Sequence, residues 1–282
     1  MIVETDTKQI AEVQRTVQSI YTGIFPAGDP AFVPRVFGWT NDCFTGQYPG
    51  YQPIDARYHD LEHTLQVTLC MMRLLQGRHV HGDTPALSDR MFQLGLLAIL
   101  LHDTGYLKRR SDVQGTGAKY TLIHVDRSIE FAAELLGEKG FSASEIKSVQ
   151  NMIRCTGVKV NLETIPFQSE AERLMGFALG TGDLVGQMAA PDYIDKLPIL
   201  YSEFAEAFHF NEGKLDEEEM FHSAEDLIQK TPAFWETFAK PKIEKDFLGL
   251  YRFLNESPGG ENRYLQRIEK NIARLKQTLK AA

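Results

Sequence analysis

LGLLAILLHD, residues 94–103, is the stretch that decides how this chain folds. Eight apolar or small residues run together, and the polarity then reverses at His102 and Asp103. A bilayer needs about 20 apolar residues in a helix, so this run does not span one. It is apolar nearly all round, as a helix at the middle of a bundle should be. Ser88 stands where an N-cap belongs, and Gly105 stands where the helix should stop. A carboxylate buried at the inner end of such a helix needs a partner, because desolvating it alone costs several kcal/mol.

Outward from that run, the pattern is helical almost throughout. Asp6 or Thr7 is placed to cap a helix from Lys8 towards Phe25, with Ile10, Val13, Val17, Ile20 and Tyr21 on one stripe. GIFPAGDPAFVPR reads as a turn region broken by prolines, and FTGQYPGYQP (44–53) as a second break. A helix from about Asp60 to Leu75 follows, ended by Gly77. Further helices are expected at His124–Glu138, at Ser142–Cys155 and from Ser169 onward. VKVNLETIP leaves room for one short strand. Glycines 176, 180, 182 and 186 allow close backbone approach. Three or four more helices follow Pro191. ESPGGEN (256–262) is a surface turn, and the last helix carries Leu265, Ile268, Ile272, Leu275 and Leu279 in an apolar seam suited to packing or pairing. The chain reads as one all-α domain over 1–282, with a core at about 56–190 and a helical carboxy-terminal extension at 191–282.

The formal net charge of −8 disfavours nucleic acid and anionic membrane as partners. Three widely separated cysteines make neither a CxxC zinc motif nor a disulfide framework, and the amino terminus is acidic where a signal peptide is basic. Both features point to a reducing, cytoplasmic location.

YHDLEHT, residues 58–64, puts His59 and His63 four positions apart, on one helical face. With His102-Asp103 and with Asp183, a lone acid in GFALGTGDLVGQM, it supplies two imidazoles and two carboxylates beside His59. A divalent cation is the partner that such a set takes: His63, His102, Asp103 and Asp183 suit a hard or borderline ion (Zn, Fe, Mn or Mg) with open water positions.

The order His … His-Asp … Asp on helices resembles the HD-domain metal-dependent phosphohydrolases. YHDLEHT followed by LLHDTGY is similar, more narrowly, to their cyclic nucleotide phosphodiesterase-like branch, which carries Tyr-His-Asn-x-x-His and then His-Asp. The resemblance covers about residues 56–190. It implies an HD-type helical bundle in which His63, His102, Asp103 and Asp183 hold one metal. Asp103 would bridge to a second metal, and His59 would donate a proton to the leaving oxygen. The implied reaction is attack of metal-activated water on a phosphate ester, a phosphodiester such as a cyclic nucleotide coming first. A nucleotide phosphomonoesterase, a di-iron HD-type oxygenase and a non-catalytic metal- or nucleotide-binding regulator are the alternatives. The sequence departs from the branch in three places. Asp60 replaces the Asn, Tyr106 replaces a frequent Lys, and no histidine stands near Arg154-Cys155, which argues against a complete second ligand set. Two-metal members of the family add a histidine in the helix after the His-Asp and one or two in the next helix; His124 fits the first of these places.

Asp60 or Glu62 is placed to keep His59 protonated. Tyr58, Lys108, Arg109 and His124 are the candidate substrate contacts, the basic loop KRRSDVQGTGAKY being a natural place to meet phosphate. A small-molecule phosphate ester is the expected partner, and self-association is left open.

Overall fold

The computed structural model describes residues 5–211, 221–257 and 259–281. Residues 1–4 of the amino terminus and Pro258 of the 256–262 turn lie outside them. Among the described residues there are ten α-helices and no strand, only an isolated bridge between Tyr51 and Arg109. The architecture is an all-α bundle with additional carboxy-terminal helices. No helix is long and apolar enough to cross a membrane.

Helix α1 (Ile10–Ile24) buries Val13, Val17, Ile20 and Tyr21. It starts later than the capping residues suggest: its N-cap is Gln9, without a side-chain bond. Asp6 instead closes a turn, its Oδ1 accepting from Lys8 N at 2.9 Å. Helix α2 (Phe32–Thr45) begins inside the segment read as a turn. Pro34 sits in its first turn, where the missing N–H would have had no intrahelical partner anyway.

Helix α3 (Leu61–Val80) is capped by Asp60, which accepts from His63 N at 2.8 Å. It runs past Gly77 rather than ending there. A Cβ at Gly77 would lie 1.8 Å from Phe253 O, so this glycine serves the packing of a 3₁₀ segment, Leu250–Leu254. Helix α4 (Asp89–Leu101) is the central helix, capped by Ser88 and buried continuously from Phe92 to Leu101. Helices α5 (His124–Glu138) and α6 (Ala143–Arg154) follow, α6 opening on a capping box between Ser142 and Glu145. Between α6 and α7 there is a 3₁₀ turn, Leu162–Thr164, and no strand.

Helix α7 (Glu170–Met188), capped by Ser169, packs along α3. The glycines make this possible: a Cβ at Gly182 would lie 2.7 Å from Met71 Cβ, and one at Gly186 2.8 Å from Val67 Cα. Helices α8 (Tyr193–Phe210), α9 (Ala224–Phe234) and α10 (Arg263–Ala281) complete the bundle, with π-helical turns at Trp235–Ala239 and Lys242–Asp246. The seam of α10 is spent within the chain. Ile268, Ile272 and Leu275 are buried, and Asn271 Nδ2 donates to Met188 O and Ala190 O at the end of α7.

Candidate metal centre

The first turn of α3, the end of α4 and the middle of α7 meet at one point inside the bundle. There His63 Nε2 lies 3.2 Å from Asp103 Oδ2 and 3.7 Å from Asp183 Oδ1, and His102 Nε2 stands at the same two distances from the same two oxygens. His63, His102 and Asp103 are buried and form a group able to hold a metal ion. Asp183 closes the set from α7 and keeps 13% of its side chain exposed. Ligands about 2.0–2.2 Å from a cation sit about 3–3.5 Å from one another; the Asp103 separations fall in that range and the Asp183 separations lie just beyond it.

Hydrogen bonding tests the same fit. His102 Nδ1 is 2.7 Å from Ile99 O, so that nitrogen donates and Nε2 presents its lone pair. His102 Nε2 and Asp103 Oδ2 are fully buried and have no hydrogen-bond partner. Orphaned buried polar atoms of this kind call for an explanation, and a cation accepting both is the direct one. In the metal-free protein burial alone would favour the neutral forms. The mutual attraction of His102 and Asp103 outweighs it, raising the histidine well above its ordinary range and holding the carboxylate well below its own. A proton and a metal ion therefore compete for the same pair of atoms.

Asp103 has a second face. Its Oδ1 lies 3.7 Å from His124 Nε2, while His124 Nδ1 is 2.6 Å from Thr121 O. Burial, aided by the positive neighbours His59 and His102, lowers the pKa of His124 despite the nearby Asp103. With Nδ1 donating to Thr121 O, Nε2 is the nitrogen left on the side of Asp103. Gly105 makes the approach possible, since a Cβ there would lie 1.9 Å from His124 O.

His59 stands outside the ligand set. Its Nδ1 is 2.6 Å from Glu203 Oε2, and Glu203 Oε1 accepts from Tyr58 N at 2.6 Å. Burial pulls the pKa of His59 down, but the Glu203 carboxylate, with Asp103 and Asp183 behind it, prevails and raises it. The partner shifts in the matching sense: burial would raise Glu203, and His59 holds it below the usual carboxylate range. This corrects the expectation for Asp60 and Glu62. Asp60 is engaged as the cap of α3, and Glu62 Oε2 accepts from Lys196 Nζ at 3.3 Å. Glu203 comes from α8, in the carboxy-terminal extension. Its one signal in the sequence is an acid on the apolar stripe formed by Tyr193, Leu197, Ala207 and Phe208.

The substrate contacts expected from the basic loop are not brought to the centre. Lys108 is buried, donating to Gly115 O at 2.6 Å and pairing with Asp55 Oδ2 at 3.1 Å. Arg109 pairs with Glu134 at 2.8 Å and lies over the Tyr51 ring, 4.2 Å from its centroid. These cations hold their own loop in place. Tyr58 does border His59 and His63, at ring separations of 5.0 and 5.8 Å, but its hydroxyl donates to Gln187 Oε1 and braces α7. Cys155 is a buried free thiol donating to Asn151 O, away from the centre.

The Npun_R2479-like family model matches residues 50–117 and 110–277, and the chain belongs to that family. The match takes in both the ligand set and the helices after Pro191 that supply Glu203. No curated protein matches the chain.

Proposed function

We propose that this protein is a metal-dependent phosphohydrolase of the HD type, acting on a phosphodiester such as a cyclic nucleotide. One observation carries the reading. His102 Nε2 and Asp103 Oδ2 are buried without hydrogen-bond partners, at the focus of two imidazoles and two carboxylates, with a carboxylate-backed histidine beside them. His63, His102, Asp103 and Asp183 would hold the cation, and Asp103 Oδ1 with His124 offers part of a second position. When bound, a divalent ion of this kind supplies Lewis acidity to water and to phosphoryl oxygens.

The chain's own residues do the rest. Glu203 fixes the Nδ1 side of His59 and stabilises the charged ring, which leaves Nε2 to carry a proton towards a leaving oxygen. An alkoxide is a poor leaving group, and such a donor is worth about 10²–10⁴-fold. Lys108, Arg109 and Lys119 are all engaged in loop contacts. A singly charged diester therefore suits the site better than a monoester dianion, which would need an additional cation. The di-iron alternative lacks support, since Arg154-Cys155 brings no further ligand to the centre. Three buried free cysteines favour work in a reducing compartment such as the cytosol.

The test is metal analysis together with hydrolysis of phosphodiesters with manganese added. Asp103→Ala should lose both metal and turnover. His59→Ala should keep its metal and lose turnover mainly on diesters with alkoxide leaving groups, much less on nitrophenyl diesters, whose anion leaves unaided. A metal-loaded wild type that turns over no phosphate ester would remove the proposal in favour of a regulator.

A further inference from the structure

Tyr106 follows His102-Asp103-Thr104-Gly105 directly and is completely buried. Its ring lies nearly parallel to His59, at 4.7 Å and 16°, and to His124, at 5.0 Å and 20°. The two imidazoles are 5.8 Å from each other. Were the phenol sandwiched between them, they would stand almost twice as far apart. The triangle instead puts both imidazoles side by side over one face of the tyrosine. Its hydroxyl hydrogen-bonds to neither imidazole, and the contact with both is made by the ring.

The backbone under this ring is clamped. Gly105 N donates to Ser128 Oγ at 2.8 Å, and Arg127 donates to Gly105 O and Leu107 O at 2.7 and 2.6 Å. Both residues belong to α5, the helix that His124 opens. A Cβ at Gly117 would lie 2.2 Å from Tyr106 O, so a second segment closes over it. Tyr106 and His124 are thus carried by one rigid unit, while His59 is tied to α8 through Glu203.

We infer that Tyr106 is a positioning residue: its ring is a platform that sets the spacing between the proton-donating His59 and the Asp103-facing His124. Its bearing on catalysis rests on the phosphohydrolase reading above. The spacing itself does not. Stacked aromatic pairs of this geometry are favourable, and a displacement of about 1 Å in a reacting group can cost about 10²-fold in rate.

Nuclear magnetic resonance of histidine-labelled protein reads the platform without reference to activity. Ring protons held over an aromatic face are shifted upfield, and His59→Ala and His124→Ala assign the two signals. In the wild type both imidazoles should be shifted upfield and show cross-relaxation to the Tyr106 ring. In Tyr106→Leu both should move downfield together, and turnover should show kcat lowered by about 10²-fold with KM little changed. Tyr106→Phe should restore both readouts. Cross-relaxation missing from either imidazole in the wild type overturns the inference, and this needs no Tyr106 variant to fold. Tyr106→Phe losing as much kcat as Tyr106→Leu also overturns it, because the hydroxyl would then be the working group. If the wild type hydrolyses no phosphate ester, the phosphohydrolase reading fails and the paired shifts still decide the platform.

Discussion

Glu203 Oε2 lies 2.6 Å from His59 Nδ1, although 144 residues separate the two in the chain. The pair joins the loop before α3 to α8, and it raises the pKa of a histidine that stands outside the proposed ligand set. Replacing Glu203 with Gln keeps a polar neighbour and removes the charge. His59 then loses the main influence that raises its pKa, and burial pulls it down. The alkaline limb of kcat should therefore move to lower pH, with a loss smaller than the about 10²–10⁴-fold worth of general acid catalysis itself. The sign for stability follows. The folded pKa of His59 exceeds that of a free imidazole, about 6.5, so its contribution is complete below that value and disappears as pH rises through the folded pKa. Glu203, whose pKa is lowered, gives the opposite limb, lost as pH falls through the carboxylate range. Denaturant titrations of metal-free protein across pH should show both dependences in the wild type and smaller ones in Glu203→Gln, where the His102–Asp103 pair supplies what remains.

Metal removal should destabilise the fold. A cation at a hundred-fold excess over its Kd adds about 2.7 kcal/mol to the folded state. Adding a chelator to the wild type should lower Tm, and re-adding manganese or zinc should restore it. Asp103→Asn should show no response to either addition, because the carboxylate facing His63 and His102 is gone. Calorimetric scans at matched ionic strength make the comparison.

Gly105→Ala should cost at least the about 1–3 kcal/mol of an overpacked core. The added methyl would meet the His124 carbonyl, a backbone group held by the start of α5, and it cannot swing aside. Gly137→Ala is the control: nothing lies within 4 Å of its Cβ position, and alanine in place of a helical glycine is neutral or stabilising by up to about 1 kcal/mol. Urea titrations of both variants give the difference.

Arg109→Ala should leave kcat/KM for any phosphodiester within about two-fold and cost at most about 1–2 kcal/mol of stability. It loses only an exposed ion pair with Glu134 and its cation–π contact with Tyr51. A large rise in KM would return the basic loop to the substrate site.

Much of this architecture could be read residue by residue, because helix starts are local chemistry. Ser88, Ser142 and Ser169 each accept from a backbone N–H three positions on; Ser88 was legible as a cap, and Ser142 and Ser169 as the places where helices start. His63, His102, Asp103 and Asp183 were legible as a set because helical spacing and an acid in an apolar run are properties of neighbours in sequence. Misreadings came where a distant part of the molecule overrode a local signal. Gly77 looks like a stop until Phe253 packs on it. The prolines around α2 look like a break, yet Pro34 falls in the first turn, where a missing donor does no harm. Arg109 looks like a phosphate contact until Glu134 and Tyr51 take it.

The sequence alone therefore determined the helical class and several helix starts, which depend on residues within a few turns of one another, and it singled out the four side chains that meet at the centre by their residue types and local setting. Tertiary structure decided which acid serves His59, that Tyr106 lies under two imidazoles, and that the basic loop is occupied with itself. Those relationships join segments that no spacing rule connects, and they exist only once burial has brought α3, α5, α7 and α8 to one point.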